Sequence, residues 1–134
     1  MLSQTVEYAL RATLYIARQK PRVVSLHEVA RAIHAPSRYL AKILSQLTRA
    51  GYLESSRGRD GGFCIAPQHA NASLASIVAV FERTEPRRCL LGPGVCGESP
   101  SCAVHEKWAP IAQSTAGFFA GTTISELLLP RTPT

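Results

Sequence analysis

Residues 25–66, SLHEVARAIHAPSRYLAKILSQLTRAGYLESSRGRDGGFCIA, carry the argument for the architecture. Ser25 followed three residues later by Glu28 has the pattern of a capping box, and Leu26, Val29, Ala30 and Ile33 then recur at i, i+3, i+4 and i+7, which predicts a short amphipathic helix over 25–34. After His34-Ala35, Pro36 is suited to a first helical turn, and Leu40, Ile43, Leu44 and Leu47 repeat the same spacing up to Gly51. Two such helices joined by a few residues are what a helix-turn-helix requires, although ordinary helical hairpins share that description. The face opposite the leucines is informative. Arg38, Lys42, Ser45 and Arg49 fall within about 60° of one another, so one side of the helix is apolar and the other basic. A solvated outer face has the same look, but the next segment of the chain weighs against it. Tyr52–Ser56 reads as a strand and Phe63–Ala66 as its return, with Arg57-Gly58-Arg59-Asp60-Gly61-Gly62 between them. Glycines permit close backbone approach to a surface, and Arg57 and Arg59 offer planar donor forks suited to phosphate or a narrow minor groove. A helix-turn-helix followed by such a hairpin is a winged helix, far more specific as a combination than either part. The expected fold class is therefore mainly α with a small β-hairpin.

Working outward, residues 2–19 place Val6, Ala9, Leu10, Thr13, Leu14 and Ala17 at helical spacing and stop before Lys20-Pro21. On the far side, Ser73 caps a helix with Leu74, Ile77, Val78 and Phe81 on one face, which Pro86 closes near Glu85. Six of the fifteen residues from Pro86 to Pro100 are Gly or Pro, which marks a long irregular loop. A last long helix is expected from about Ser101 to Ala120, with Trp108, Ile111, Ala112, Thr115, Phe118 and Phe119 as an apolar stripe. That stripe serves either the intrachain core or a dimer seam. The seam is preferred, because DNA-reading helix-turn-helix modules commonly pair so that two recognition helices meet successive major grooves. Thr122–Leu128 reads as a short closing helix. The resulting organisation is one compact domain: a winged helix-turn-helix over 1–85, a cysteine-containing loop over 86–102, a dimerisation helix with its closing helix over 101–128, and a frayed tail over 129–134.

The chain has 134 residues and a formal charge of +6, and the excess sits in residues 1–66, where ten basic side chains face four acidic ones. A basic half-domain suits a polyanion such as double-stranded DNA, through phosphate neutralisation and counterion release. Hydrophobic residues at 46% and charged residues at 18% exclude a disordered chain. No apolar run of about 18 residues occurs, so neither a membrane span nor a signal peptide is expected, and the four cysteines are read as free thiols in a reducing cytoplasm.

Three of those thiols form a constellation. Cys89, Cys96 and Cys102 are spaced C-x6-C-x5-C, and His105 follows the last by three residues, so that Cys102 and His105 share a face of the expected final helix at its dipole-positive end. Zinc is allowed by ligand type, but zinc sites usually have tighter knuckles, whereas iron-sulfur clusters take widely spaced thiolates. A metal-free thiol switch remains open. An enzyme with a nucleophilic cysteine lacks a substrate-holding motif, and none is expected. Cys64, in the second hairpin strand, reads as a packed structural thiol, and His27, His34 and His69 as surface residues.

The wing Arg57-Gly58-Arg59-Asp60-Gly61-Gly62-Phe63, the three-cysteine loop, the long helix and the closing Thr123-Ile124-Ser125-Glu126-Leu127 together resemble the Rrf-type bacterial regulators, which include IscR-like and NsrR-like iron-sulfur and nitric-oxide sensors. The resemblance spans residues 2–128. It implies a homodimer holding one cluster per subunit near the dimerisation helices, with cluster state setting affinity for a palindromic operator. It divides at the fourth ligand. Cys102-x-x-His105 matches the IscR-like pattern completing a two-iron cluster, whereas Glu7 matches the place where NsrR-like proteins use an acidic residue of the partner subunit on a four-iron cluster. His105, and with it the two-iron form, is preferred because it lies next to Cys102 in the chain, although the C-x6-C gap is one residue longer than the IscR-like spacing. Pro36, Ser37, Arg38, Lys42 and Arg49 are expected to place and read the recognition helix, and Arg57, Gly58, Arg59, Gly61 and Gly62 to hold backbone or minor groove.

Overall fold

The computed structural model, which describes residues 2–82 and 105–129, is built around helix α1 (Gln4–Arg18). Ser3 caps it by accepting from the Val6 amide, and Val6, Ala9, Ala12 and Ile16 are fully buried along one face. Thr13 is buried beside them, and its hydroxyl is satisfied by donating to the Ala9 carbonyl at 2.7 Å. The side chains of α1 pack against α2 (Leu26–Ile33), α3 (Ser37–Arg49), α4 (Leu74–Phe81) and α6 (Ile124–Leu128), which makes it the hub of the core.

Ser25 caps α2 as expected, but only half of the capping box forms. Its hydroxyl accepts from the Glu28 amide, while the Glu28 carboxylate turns away to two stronger donors, Arg22 and Tyr15. His34 ends α2 in the left-handed conformation at φ 56°, a geometry that histidine adopts more readily than most non-glycine residues and that lets the chain turn at once into α3. Pro36 stands one residue earlier than expected. It is the N-cap of α3, extended at ψ 129°, and its carbonyl receives the Leu40 amide. Leu40, Ile43, Leu44 and Leu47 are all buried, which closes the helix-turn-helix over α1.

Strands β1 (Leu53–Ser56) and β2 (Gly62–Ile65) pair antiparallel with Leu53 opposite Ile65 and Ser56 opposite Gly62. Val24, in the segment between α1 and α2, adds a third element to this hairpin. It exchanges two backbone hydrogen bonds with Phe63, each 2.8 Å. A short 3-10 turn, Pro67–His69, leads to α4, which Ser73 caps as expected and which ends at Phe81. His69 is not a bare surface residue: it is half-buried, with its ring 4.4 Å from that of Tyr52.

Helix α5 (His105–Gly121) packs on α4. Its expected stripe splits by exposure. Trp108, Ala112 and Phe119 are half-buried, whereas Ile111 and Phe118 are 54% and 53% exposed. The chain then returns to the core. Ser73 and Thr123 form a bridge, with Leu74 donating to the Thr122 carbonyl and Ile124 to that of Ala72, both at 2.9 Å. Thr123 and Glu126 make the full reciprocal capping box that Ser25 and Glu28 do not. Among the described residues, no helix is long and apolar enough to cross a membrane.

Candidate nucleic-acid interface

The outer face of α3 carries Arg38, Lys42, Ser45, Gln46 and Arg49 opposite the buried leucines. An open groove of about 550 Å³ runs beside it, with Thr5 and Tyr39 at one end and Arg49 at the other. Tyr39 fixes this end: its hydroxyl is hydrogen-bonded to that of Thr5, and its ring meets Tyr8 edge-on at 5.8 Å. The start of α3 is thereby tied to the start of α1. Arg49 donates to the Ser45 hydroxyl at 3.3 Å. Among the described residues, the ion pairs are Arg11–Glu7 and Arg22–Glu28, so Arg38, Lys42, Arg49, Arg57 and Arg59 keep their charge available for a polyanion. Pro36 is exposed and Ser37 half-buried at the same end of the helix.

The wing tip, Arg57 to Asp60, is exposed on every residue. Gly58 takes φ +104°, and its carbonyl accepts from the Gly61 amide at 3.0 Å. Gly61 and Gly62 have an internal reason for being glycine. A Cβ on Gly61 would lie 2.3 Å from the Ser56 carbonyl oxygen, and one on Gly62 would lie 2.2 Å from that of Val24. Their lack of a side chain therefore serves the wing's own packing, beside any approach to a duplex.

Behind the wing, Glu28 collects three hydrogen bonds. Arg22 donates through both terminal nitrogens, at 2.8 and 2.6 Å, and the Tyr15 hydroxyl donates at 2.6 Å. The Arg22 guanidinium, and after it the Tyr15 hydroxyl, hold the Glu28 carboxyl down to about 2. The same carboxylate raises the Arg22 guanidinium and the Tyr15 phenol above their ordinary values.

Of the expected metal ligands, Cys89, Cys96 and Cys102 lie outside the described residues, and His105 is the first residue of α5. Glu7 is exposed on α1, 3.9 Å from Arg11. No group of three or more potential metal ligands gathers among the described residues. Cys64 is a free, half-buried thiol opposite Glu54 in the hairpin, in keeping with a packed strand residue. Sequence reasoning passed over Gln46 and Tyr39. Gln46 lies four residues after Lys42 on the same outer face, and a Gln amide can pair bidentately with adenine. Tyr39 was hidden because its partners, Thr5 and Tyr8, are remote in sequence.

The family model Rrf2, iron-dependent transcriptional regulator, matches residues 2–129. A protein of Aquifex aeolicus assigned as an HTH-type transcriptional regulator is 34% identical over 131 residues, covering 96% of this chain and 91% of its own. An rrf2-like HTH-type regulator assigned in Rhodobacter capsulatus is 27% identical over 143 residues, covering 99% and 95%. Among solved structures, CymR, the global cysteine regulator of B. subtilis, superposes with a TM-score of 0.74 at 24% identity over 96% of this chain and 95% of its own. IscR of T. potens does so at 0.72 and 21% identity, over 96% and 85%. At these identities the structural likeness establishes the shared fold. These relatives are regulators and not enzymes, and the family match covers nearly the whole chain: it belongs to the Rrf2 family of winged-helix transcriptional regulators.

Proposed function

We propose that this regulator binds a palindromic operator as a homodimer and senses iron-sulfur status, redox state or nitric oxide through a cluster held by Cys89, Cys96 and Cys102. The observation that carries the reading is the placement of the C-x6-C-x5-C triplet directly ahead of α5, in a chain matched along 2–129 by a family described as iron-dependent. The donor chemistry fits the group: three thiols supply the soft ligands that iron-sulfur clusters require, and an imidazole or carboxylate supplies a fourth. His105 is the preferred fourth ligand, three residues beyond Cys102 in the chain, and the two-iron form follows from it. The exposed Glu7 of a partner subunit is the alternative, with the four-iron form. Such a cluster, when bound, supplies an iron centre that oxygen, nitric oxide or iron limitation can alter.

The rest is the work of the chain's own residues. Arg38, Lys42 and Arg49 neutralise phosphate and, with Gln46, face base edges from α3, while Arg57 and Arg59 reach the backbone or minor groove from the wing. Exposed Ile111 and Phe118, one heptad apart on α5, supply the seam between two copies. Helix α4 touches both α5 and α3, so a displacement of α5 has a packed route to the recognition helix. It acts as a switch only if the two states of α5 differ in their affinity for DNA.

The experiment is anaerobic purification with iron, acid-labile sulfide and zinc analysis, and an ultraviolet-visible spectrum, for the wild type and Cys96→Ala. The reading expects about two irons and two sulfides per chain, a visible absorbance absent from Cys96→Ala, and a folded dimer in both. Zinc without sulfide would make the site structural, and thiols without metal would make it a disulfide switch.

A further inference from the structure

The segment joining α1 to α2 is part of the wing, and one carboxylate adds a side-chain restraint to it. Val24 pairs with Phe63 through two 2.8 Å backbone bonds, and Gly62 approaches the Val24 carbonyl too closely to carry a side chain. Two residues before Val24, Arg22 is gripped by Glu28 through both terminal nitrogens and donates to the Gln19 side chain at 2.9 Å. Glu28 is itself anchored on α1 by Tyr15. The chain of contacts runs from α1 through Tyr15, Glu28 and Arg22 to Val24 and so to the start of β2, the end next to the tip bearing Arg57 and Arg59. The far ends of both strands are already held in the core by buried Leu53 and Ile65, so the contacts through Glu28 restrain the opposite, tip-proximal end of the hairpin.

We infer that Glu28 is a positioning residue for DNA binding: through its bidentate grip on Arg22 it holds the Val24 segment, and with it the wing, at a fixed angle to the recognition helix. In this role Glu28 acts through Arg22 and not by contact with the duplex. A fork of two parallel N–H donors on a carboxylate defines direction as well as distance, which is what a hinge restraint needs and a single contact would not supply. The depression of the Glu28 carboxyl agrees with a restraint that stays charged throughout the physiological range. The inference rests on the reading of Arg57 and Arg59 as DNA contacts.

A double-mutant cycle tests it. Binding to one duplex, selected from a randomised library by the wild-type protein, is measured by fluorescence anisotropy at several salt concentrations for wild type, Glu28→Gln, Arg57→Ala/Arg59→Ala and the triple variant, below the melting temperature of each. The paired wing variant should bind about tenfold more weakly, with a salt slope smaller in magnitude by about 2. Glu28→Gln should weaken wild-type binding about threefold or more, lower the slope in the same sense and speed amide exchange at Val24 and Phe63, yet have almost no effect once the wing arginines are gone. Arg22→Gln, at an exposed position, should reproduce Glu28→Gln. An equal loss in both backgrounds would show that Glu28 acts on the fold at large and overturn the inference. Tighter binding by Glu28→Gln would overturn it too, by making the released Arg22 a phosphate contact. If the wing variant binds like wild type while Lys42→Ala is weakened, the wing reading itself fails.

Discussion

Gly62→Ala should be among the most damaging single-methyl changes in this protein, for a reason separate from backbone conformation. The added Cβ would sit 2.2 Å from the Val24 carbonyl oxygen, 2.6 Å from its carbon and 2.9 Å from the Ser25 nitrogen, all backbone atoms that cannot swing aside. Relief requires moving Val24 away from β2, which breaks both Val24–Phe63 hydrogen bonds. Two such bonds contribute about 2 kcal/mol net, and residual overlap adds about 1 kcal/mol, for a loss of about 3 kcal/mol. With a urea m-value of about 1.5 kcal/mol/M for a chain of this size, the unfolding midpoint should fall by roughly 2 M. Gly58→Ala is the matched control. Nothing lies within 4 Å of its Cβ, and only the φ of +104° opposes the substitution, at about 1 kcal/mol and roughly 0.7 M. Urea titrations followed by circular dichroism at one fixed protein concentration make the comparison clean, since the proposed dimerisation would link stability to concentration. A Gly62→Ala midpoint equal to that of the wild type, or no lower than that of Gly58→Ala, would refute the argument that close approach to Val24 sets this position.

Two further outcomes rest on named contacts. Because the Glu28 carboxyl is held down to about 2, its pairing stabilises the fold fully above the ordinary carboxylate value of about 4.5 and loses that contribution as pH falls from there toward 2. Glu28→Gln should therefore be less stable than wild type at neutral pH, with the difference shrinking on acidification, as read from denaturant midpoints at successive pH values. Phe118→Glu puts a charge on the exposed face of α5 without touching the buried core, so far-ultraviolet dichroism should be unchanged while sedimentation equilibrium shows self-association weakened by at least about 30-fold. An unaltered dimer would place the seam elsewhere.

The parts of the fold that were legible in the sequence are those governed by local periodicity. The leucines of α3 and the caps at Ser25 and Ser73 depend on residues within one or two turns and land where their spacing puts them, whereas the α1 face is rotated from the expected one: Ala12 and Ile16 are fully buried and Leu10 and Leu14 only half-buried, because α1 is packed on several sides. What the sequence concealed depends on partners far apart in the chain. Glu28 has the right spacing for a capping box, yet its carboxylate is drawn off by Arg22 and Tyr15, since a guanidinium fork and a phenol outcompete one more backbone amide. Val24 sits in a connection with no strand pattern and forms a one-residue bridge only because Phe63 offers unpaired backbone groups. His69 lacks any ligand-like neighbour in sequence and acquires a stacking partner from the turn after α3. At the interface, the basic stripe of α3 was readable from 3.6-residue spacing, whereas the anchoring of Tyr39 on Thr5 was not. The α5 stripe showed an apolar helix but not its division into a face against α4 and a face carrying Ile111 and Phe118, because periodicity alone does not say which neighbour a residue will meet.

A sensor differs from a constitutive DNA binder in the ratio of two dissociation constants. Both should be measured without oxygen on the same selected duplex, one with iron-loaded protein and one with the same preparation after iron is removed by a chelator and the dimer is verified. A sensor built as described gives constants differing by at least about fivefold. Equal constants, with iron and sulfide shown to be present in the first sample and absent from the second, would leave a winged helix that grips DNA regardless of its cysteines.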